Sequence, residues 1–194
     1  MKNTVTLDKV TKSYGELCVL DGFSAVIADD TALMGASGKG KTTLLRIIAG
    51  LERADSGEVR FSRKRRLSVV FQEDRLFEDF SAVENITAII GNGKENERRA
   101  SDMLSSLLID LPEQKKSVRD FSGGMKRRVA IARALLAESD VILLDEPFKG
   151  LDDITRDKTA EVIRKFAEEK LVILVTHDTH ETDILGIGKI VTIE

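Results

Sequence analysis

Gly35, Gly40, Lys41 and Thr42 stand in the spacing Gly-x4-Gly-Lys-[Ser/Thr], a pattern that builds a cradle for phosphate. Gly35, Gly38 and Gly40 allow the backbone to curl tightly, which turns successive N–H groups inward onto phosphate oxygens. A helix opening near Lys41 adds the positive end of its dipole. Lys41 reaches the β- and γ-phosphates in such a loop, and the Thr42 hydroxyl ligates a magnesium ion. The candidate nucleotide-binding residues are therefore Gly35, Ala36, Ser37, Gly38, Lys39, Gly40, Lys41, Thr42 and Thr43. Lys39 adds a cation inside the loop, either solvated or touching phosphate.

Two carboxylates, Asp145 and Glu146, follow the apolar run Val141-Ile-Leu-Leu144. At the end of a buried strand Asp145 is placed to hold a magnesium ion, directly or through water. Glu146, one residue on, is placed to polarise an attacking water.

Positioning these groups requires strands that deliver both loops to one edge. Thr31–Met34 reads as a short strand before the glycine-rich loop, and Leu44–Ala49 as a helix closed by Gly50. Val141–Leu144 and Leu171–Val175 are apolar runs too brief for helices and suit strands buried on both faces of a parallel sheet. Helical segments at about Ile154–Glu169 and Thr179–Leu185 alternate with them, an α/β pattern that puts ligands at the carboxyl ends of the strands. Toward the N-terminus, Val5–Leu7, Val19–Ile27, Gly57–Phe61 and Leu67–Phe71 read as further strands, with turns at Tyr14-Gly15 and Asp21-Gly22. The basic quartet Arg63–Arg66 reads as a solvated hairpin tip. From about Glu73 the chain turns helical. Met103, Leu104, Leu107, Leu108 and Leu111 fall on one helical face that Pro112 ends, and a second helix runs from Gly123 to Glu138.

The 194 residues, 42% of them hydrophobic, suffice for one domain with a small subdomain. A net charge of −3 gives no basic field for nucleic acid. The single cysteine, Cys18, reads as a small apolar filler in a reducing compartment. No signal-peptide core and no run of about 18 apolar residues is present, so a cytoplasmic location is expected and any membrane role needs a partner.

Beyond the phosphate loop and the carboxylate pair, the stretch Phe121-Ser-Gly-Gly-Met-Lys-Arg-Arg-Val-Ala-Ile-Ala-Arg-Ala-Leu135 resembles the signature loop and helix of ATP-binding cassette (ABC) ATPases. Gln72 resembles that family's Q-loop, Gly150-Leu151-Asp152 its D-loop and Thr176-His177-Asp178 its switch histidine, and Tyr14 stands at its adenine-stacking position. All follow the family's order along nearly the whole chain. The resemblance implies an α/β P-loop NTPase fold: a mostly parallel core sheet, a small antiparallel β subdomain, and a helical signature subdomain at about 73–138. It implies catalytic roles for Lys41, Glu146 and His177. It adds Tyr14, Gln72, Ser122, Gly123, Gly124 and Asp152 to the ATP contacts, and gives Thr42, Gln72 and Asp145 to the magnesium ion.

Within the family the signature loop docks on the γ-phosphate held by a second subunit. A head-to-tail dimer with two composite sites is thus implied, along with transmembrane permease subunits, a solute-binding protein acting indirectly, and no nucleic acid. The segments Asp145–Asp152 and Phe71–Phe77 resemble importers, the nitrate/sulfonate/taurine type above all. An exporter subunit and a soluble cassette acting on nucleic acid or ribosomes are the alternatives. Met125 stands where the signature loop usually has Gln, and Lys149-Gly150 where the D-loop usually has Ser-Ala. His180 is expected as an exposed bystander.

Overall fold

The computed structural model describes residues 2–36, 38–64 and 66–193; the Ser37 expectation falls outside them. In chain order the elements are β1 (Val5–Tyr14), β2 (Leu17–Ile27), β3 (Thr31–Met34), α1 (Lys41–Ala49), β4 (Ser56–Phe61), β5 (Leu67–Val70), α2 (Ala82–Ile90), α3 (Lys94–Ser106), α4 (Leu111–Gln114), α5 (Gly123–Leu136), β6 (Val141–Asp145), α6 (Asp153–Ala167), β7 (Leu171–Val175), α7 (Thr179–Leu185) and β8 (Lys189–Thr192). They divide into two compact units: 1–69 with 139–145 and 169–194, and 70–138 with 146–168.

The first unit carries the sheets. A five-stranded sheet has the order β5-β6-β7-β3-β8, in which β6 with β7, β7 with β3 and β3 with β8 run parallel. β6 and β7 are buried at every position, as apolar runs bounded by polar residues require for strands covered on both faces. A three-stranded sheet, β2-β1-β4, is antiparallel. One core joins them: Val5, Leu7, Val10 and Ile27 from the antiparallel sheet, Leu44, Leu45 and Ile48 from α1, and Leu33, Leu143 and Ile173 from the parallel one. Helix α1 thereby has its start fixed beside the end of β3.

Helices make up the second unit. Ser81 opens α2 with a full capping box, its side chain accepting from Glu84 N while Glu84 reaches back to Ser81 N. Asn85, buried, accepts from Phe77 N at 2.9 Å and donates to Phe77 O and Ser81 O at 3.0 Å, closing the loop before the helix.

Several local expectations are corrected. Asp21-Gly22 is no turn but lies inside β2; the β1–β2 turn is the tight one between Tyr14 and Leu17. β4 and β5 belong to different sheets, so Arg63, Lys64 and Arg66, all exposed, join sheets rather than tip a hairpin. Cys18 is exposed, not a filler. The apolar stripe breaks after Leu107: Leu108 adopts φ 59° and is 47% exposed, and Leu111 is 62% exposed. Pro112 begins a helix, α4, instead of ending one, since the first turn needs no N–H from it.

Candidate functional site

Three adjacent parallel strands of the first unit end in candidate residues. β3 leads into the glycine loop and α1; β7, beside it, pairs Val175 with Leu33 and is followed by Thr176-His177; β6 pairs Asp145 with Val175. Loops at the carboxyl ends of parallel strands leave one edge of the sheet together, so residues distant in sequence converge there. Thr42 Oγ1 donates to Asp145 Oδ1 at 3.3 Å across 103 residues. Asp145 is 1% exposed.

Backbone clearance dictates the glycines. A Cβ on Gly35 would lie 2.4 Å from Ile193 O, and one on Gly40 2.5 Å from Val19 O, both at positive φ. Neither contact can yield, because both atoms are main chain. Gly40 is also the N-cap of α1 and offers no side-chain acceptor, so the first-turn N–H groups stay directed into the loop. Lys41 is 8% exposed, and its Nζ donates to Gly35 O at 2.8 Å and Ala36 O at 2.7 Å, which holds the ammonium inside the curl. Lys39 points outward and is exposed.

Two hydrogen bonds fix the turn carrying His177. Thr176 Oγ1 donates to Glu181 Oε2 at 2.5 Å and accepts from Asp178 N at 3.0 Å. Asp178 in turn caps α7 by accepting from His180 N at 2.8 Å. His177 and His180 are both exposed. Tyr14 ends β1, 46% exposed, with Lys12 Nζ 5.3 Å from its ring centroid. The cation lies on an aromatic ring whose exposed area is available for stacking.

The second unit holds Gln72, Glu146, the signature residues and Asp152. Glu146, the residue after Asp145, has φ 47°, a left-handed conformation that costs a non-glycine residue about 1–2 kcal/mol and concentrates at functional sites. Lys149 stands 3.9 Å from its carboxylate. Ser122 is the N-cap of α5 and accepts from Met125 N at 3.3 Å. A Cβ on Gly124 would press at 3.2 Å on both Gly150 O and the Leu151 side chain, so the signature and D-loop backbones meet here. Asp152 caps α6, accepting from Thr155 N at 2.9 Å and Thr155 Oγ1 at 2.8 Å; these bonds hold its carboxyl below the usual carboxylate range. A cavity of about 510 Å³ is lined by Gln72, Ser122, Gly123, Arg127, Lys149 and Asp152 among others.

Three arginines of α5 did not stand out in the sequence. Arg127 is buried against the backbone of Phe71 and Gln72, Arg133 donates to Asp74 O and Arg75 O, and Arg128 donates to Leu107 O and Leu108 O. Arg127 and Arg128 stand in a basic run, Lys126-Arg-Arg128, whose residue types alone suit a solvated face; the tertiary acceptors, all main-chain carbonyls, show otherwise.

Residues 27–149 match the family model described as ABC transporter. The chain is 37% identical over 193 residues to an aliphatic sulfonates import ATP-binding protein of Corynebacterium glutamicum, covering 96% of this chain and 79% of that one. The chain belongs to the ABC transporter family. A sulfate/thiosulfate import ATP-binding protein of Methylococcus capsulatus is also 37% identical over 199 residues, and this cassette spans 57% of its length. Among solved structures, an ATP-binding cassette captured as a dimer in a post-hydrolysis state with ADP and Pi superposes with a TM-score of 0.87 at 30% identity, covering 98% of this chain and 94% of that one. The fold is thus that of the ABC ATPases, α/β with a parallel and an antiparallel sheet plus helices, as the motifs implied. ATP is the nucleotide of the cassette and ATP hydrolysis its reaction.

Proposed function

We propose that this cassette energises an importer, docked at the inner face of the cell membrane on separate permease subunits. The observation that carries this reading is the 37% identity across 96% of the chain to a protein named for import. Among the described residues no helix is long and apolar enough to cross a membrane, and in this reading the cargo's path lies in the permease subunits. The cargo class stays with those chains; the relatives are named for sulfonates, for sulfate or thiosulfate, and for ferric ions.

The site residues are assigned by what each can do. The N–H groups of the glycine loop and the start of α1 receive the phosphates, and Lys41, already held inside the curl, neutralises the β/γ charge. Tyr14 stacks on adenine. Glu146 orients and deprotonates the attacking water from its strained backbone, and His177 hydrogen-bonds the γ-phosphate. Thr42 and Asp145 place a neutral and an anionic oxygen together, a donor pair that fits Mg²⁺, with Gln72 as a further ligand. Bound there, Mg²⁺ would supply positive charge against the phosphates.

Ser122, Gly123 and Gly124 contact the γ-phosphate held by a second copy of the chain, making two equivalent composite sites about a two-fold axis. The dimeric cassettes among solved structures support this arrangement. ATP joins the two copies, closure drives the permease, and hydrolysis releases it. The test is gentle purification from native membranes with mass spectrometry of what accompanies the chain. A multi-span permease is the expected companion; ribosomal proteins or nucleic acid in its place would refute transport.

A further inference from the structure

The signature loop and the Q-loop belong to the same unit, and one side chain joins them. Arg127 lies in the second turn of α5 and is 4% exposed. Its Nη1 donates to Phe71 O at 2.5 Å and its Nη2 to Gln72 O. Its Nε lies 3.1 Å from Asp74 Oδ1, an ionic contact without hydrogen-bond alignment, since neither atom has a hydrogen-bond partner. Six residues on, Arg133 adds Nη1 to Arg75 O at 3.0 Å and Nη2 to Asp74 O at 3.2 Å. Four residues of the Q-loop segment, Phe71, Gln72, Asp74 and Arg75, therefore meet one guanidinium or the other through a main-chain carbonyl. Burial raises the Asp74 carboxyl above its usual range, and the cations of Arg127, Lys126 and Arg133 oppose that shift.

A fully buried guanidinium is costly to desolvate, and a surface alternative for a helix position would be cheap. What the guanidinium supplies is geometry. Its planar fork bonds two carbonyls in fixed relative positions, which neither an ammonium nor an amide reproduces. Arg128, the next residue, anchors the other side of α5: Nη1 donates to Leu107 O at 2.8 Å and Leu108 O at 2.6 Å, and Nε to Gly124 O at 3.2 Å within the signature loop itself. The signature backbone is thus held on one side to the end of α3 and on the other to the Q-loop.

We infer that Arg127 is a positioning residue that locks Gln72 and the Ser122–Gly124 loop into one rigid piece, so that nucleotide contact at Gln72 sets the register of the signature loop. The inference rests on the ATP-site reading above, which assigns Gln72 and the signature residues to nucleotide. Arg127 touches no phosphate in this scheme; it acts through the two loops.

The experiment is steady-state ATPase kinetics with thermal melting on Arg127→Gln and Arg127→Lys, beside Lys41→Ala as control. Arg127→Gln is expected to lower kcat about tenfold with KM within twofold, because a misplacement near 1 Å of a group that acts only on closure costs rate rather than affinity. Arg127→Lys, which keeps the charge but not the fork, is expected to recover Tm while leaving kcat at a third of wild type or less. A melting loss with kcat unchanged would overturn the inference and leave Arg127 a purely structural residue; so would full recovery of kcat by Lys. Should Arg127→Gln fail to fold, Arg127→Lys decides alone: it removes the fork and keeps the charge, and a kcat equal to wild type there overturns the inference. Turnover surviving in Lys41→Ala would instead refute the site assignment beneath it.

Discussion

The glycine loop and the signature loop both open a helix, yet they are held in opposite ways. In the glycine loop the main chain does nearly everything: a Cβ on Gly35 or Gly40 would come within 2.4–2.5 Å of a carbonyl oxygen, and the buried long side chain, Lys41, is bonded to the loop's own carbonyls. At Ser122–Gly124 the loop has an ordinary side-chain cap, and its surroundings are set by Arg127, Arg128 and Arg133 reaching carbonyls as far as 59 residues away in sequence. The first is a site whose shape is local. The second is a site whose shape is tertiary, and a loop held by long side chains to neighbouring loops can transmit displacement between them.

That contrast is testable from its strongest end. Glu146→Gln removes the base while leaving the left-handed backbone to the fold. Hydrolysis should fall about 1,000-fold, ATP binding should persist, and size-exclusion chromatography in ATP should show a dimer. A monomer in ATP would break the two-copy site. Next, Lys41→Ala takes the only buried cation from the glycine loop, and about a 100- to 1,000-fold loss in kcat/KM is expected, as for removal of one preorganised electrostatic contact. Unchanged kcat/KM would remove the phosphate-loop assignment. His177→Ala should cut kcat about 10- to 100-fold, the worth of one hydrogen bond to a charged group, with ATP affinity within threefold. Equal losses in both would mean that the Thr176–Asp178 turn, rather than the imidazole, was what mattered.

The same contrast explains what the sequence made legible. β6 and β7 were readable because their apolar runs, Val141–Leu144 and Leu171–Val175, hold no polar residue to blur them. The glycine loop was readable because its chemistry is written in residue type and spacing. The end of α3 was not: Leu107 and Leu108 are identical letters, but the first is fully buried and the second adopts φ 59° at the surface, a choice made by the chain reversal into α4. Pro112 was read as a stop because proline cannot continue a helix, while the same residue is favoured in a first turn; the extended Asp110 before it decides. The basic run of α5 was opaque for a deeper reason. Lysine and arginine on an exposed helix face look like buried arginines that bond carbonyls, since carbonyls carry no residue identity for a sequence to display.

The smallest expected effect bears most directly on the comparison. Met125 stands where the resembling family's signature loop usually has Gln, and its structural contribution is its own N–H, donated to Ser122 Oγ at 3.3 Å. Its side chain is only partly buried and forms no polar contact that an amide would be needed to replace. If the phosphate-facing part of the signature loop works through main chain and the Ser122 hydroxyl, as the glycine loop works through main chain, Met125→Gln should change kcat by about threefold or less, the scale of a single weak polar contact. A rise of several hundredfold would mean that the side chain at this position contacts the reacting nucleotide. The two loops would then differ not only in how they are held but in what they present to phosphate, and the arginine framework behind α5 would be supporting a side-chain site rather than a backbone one.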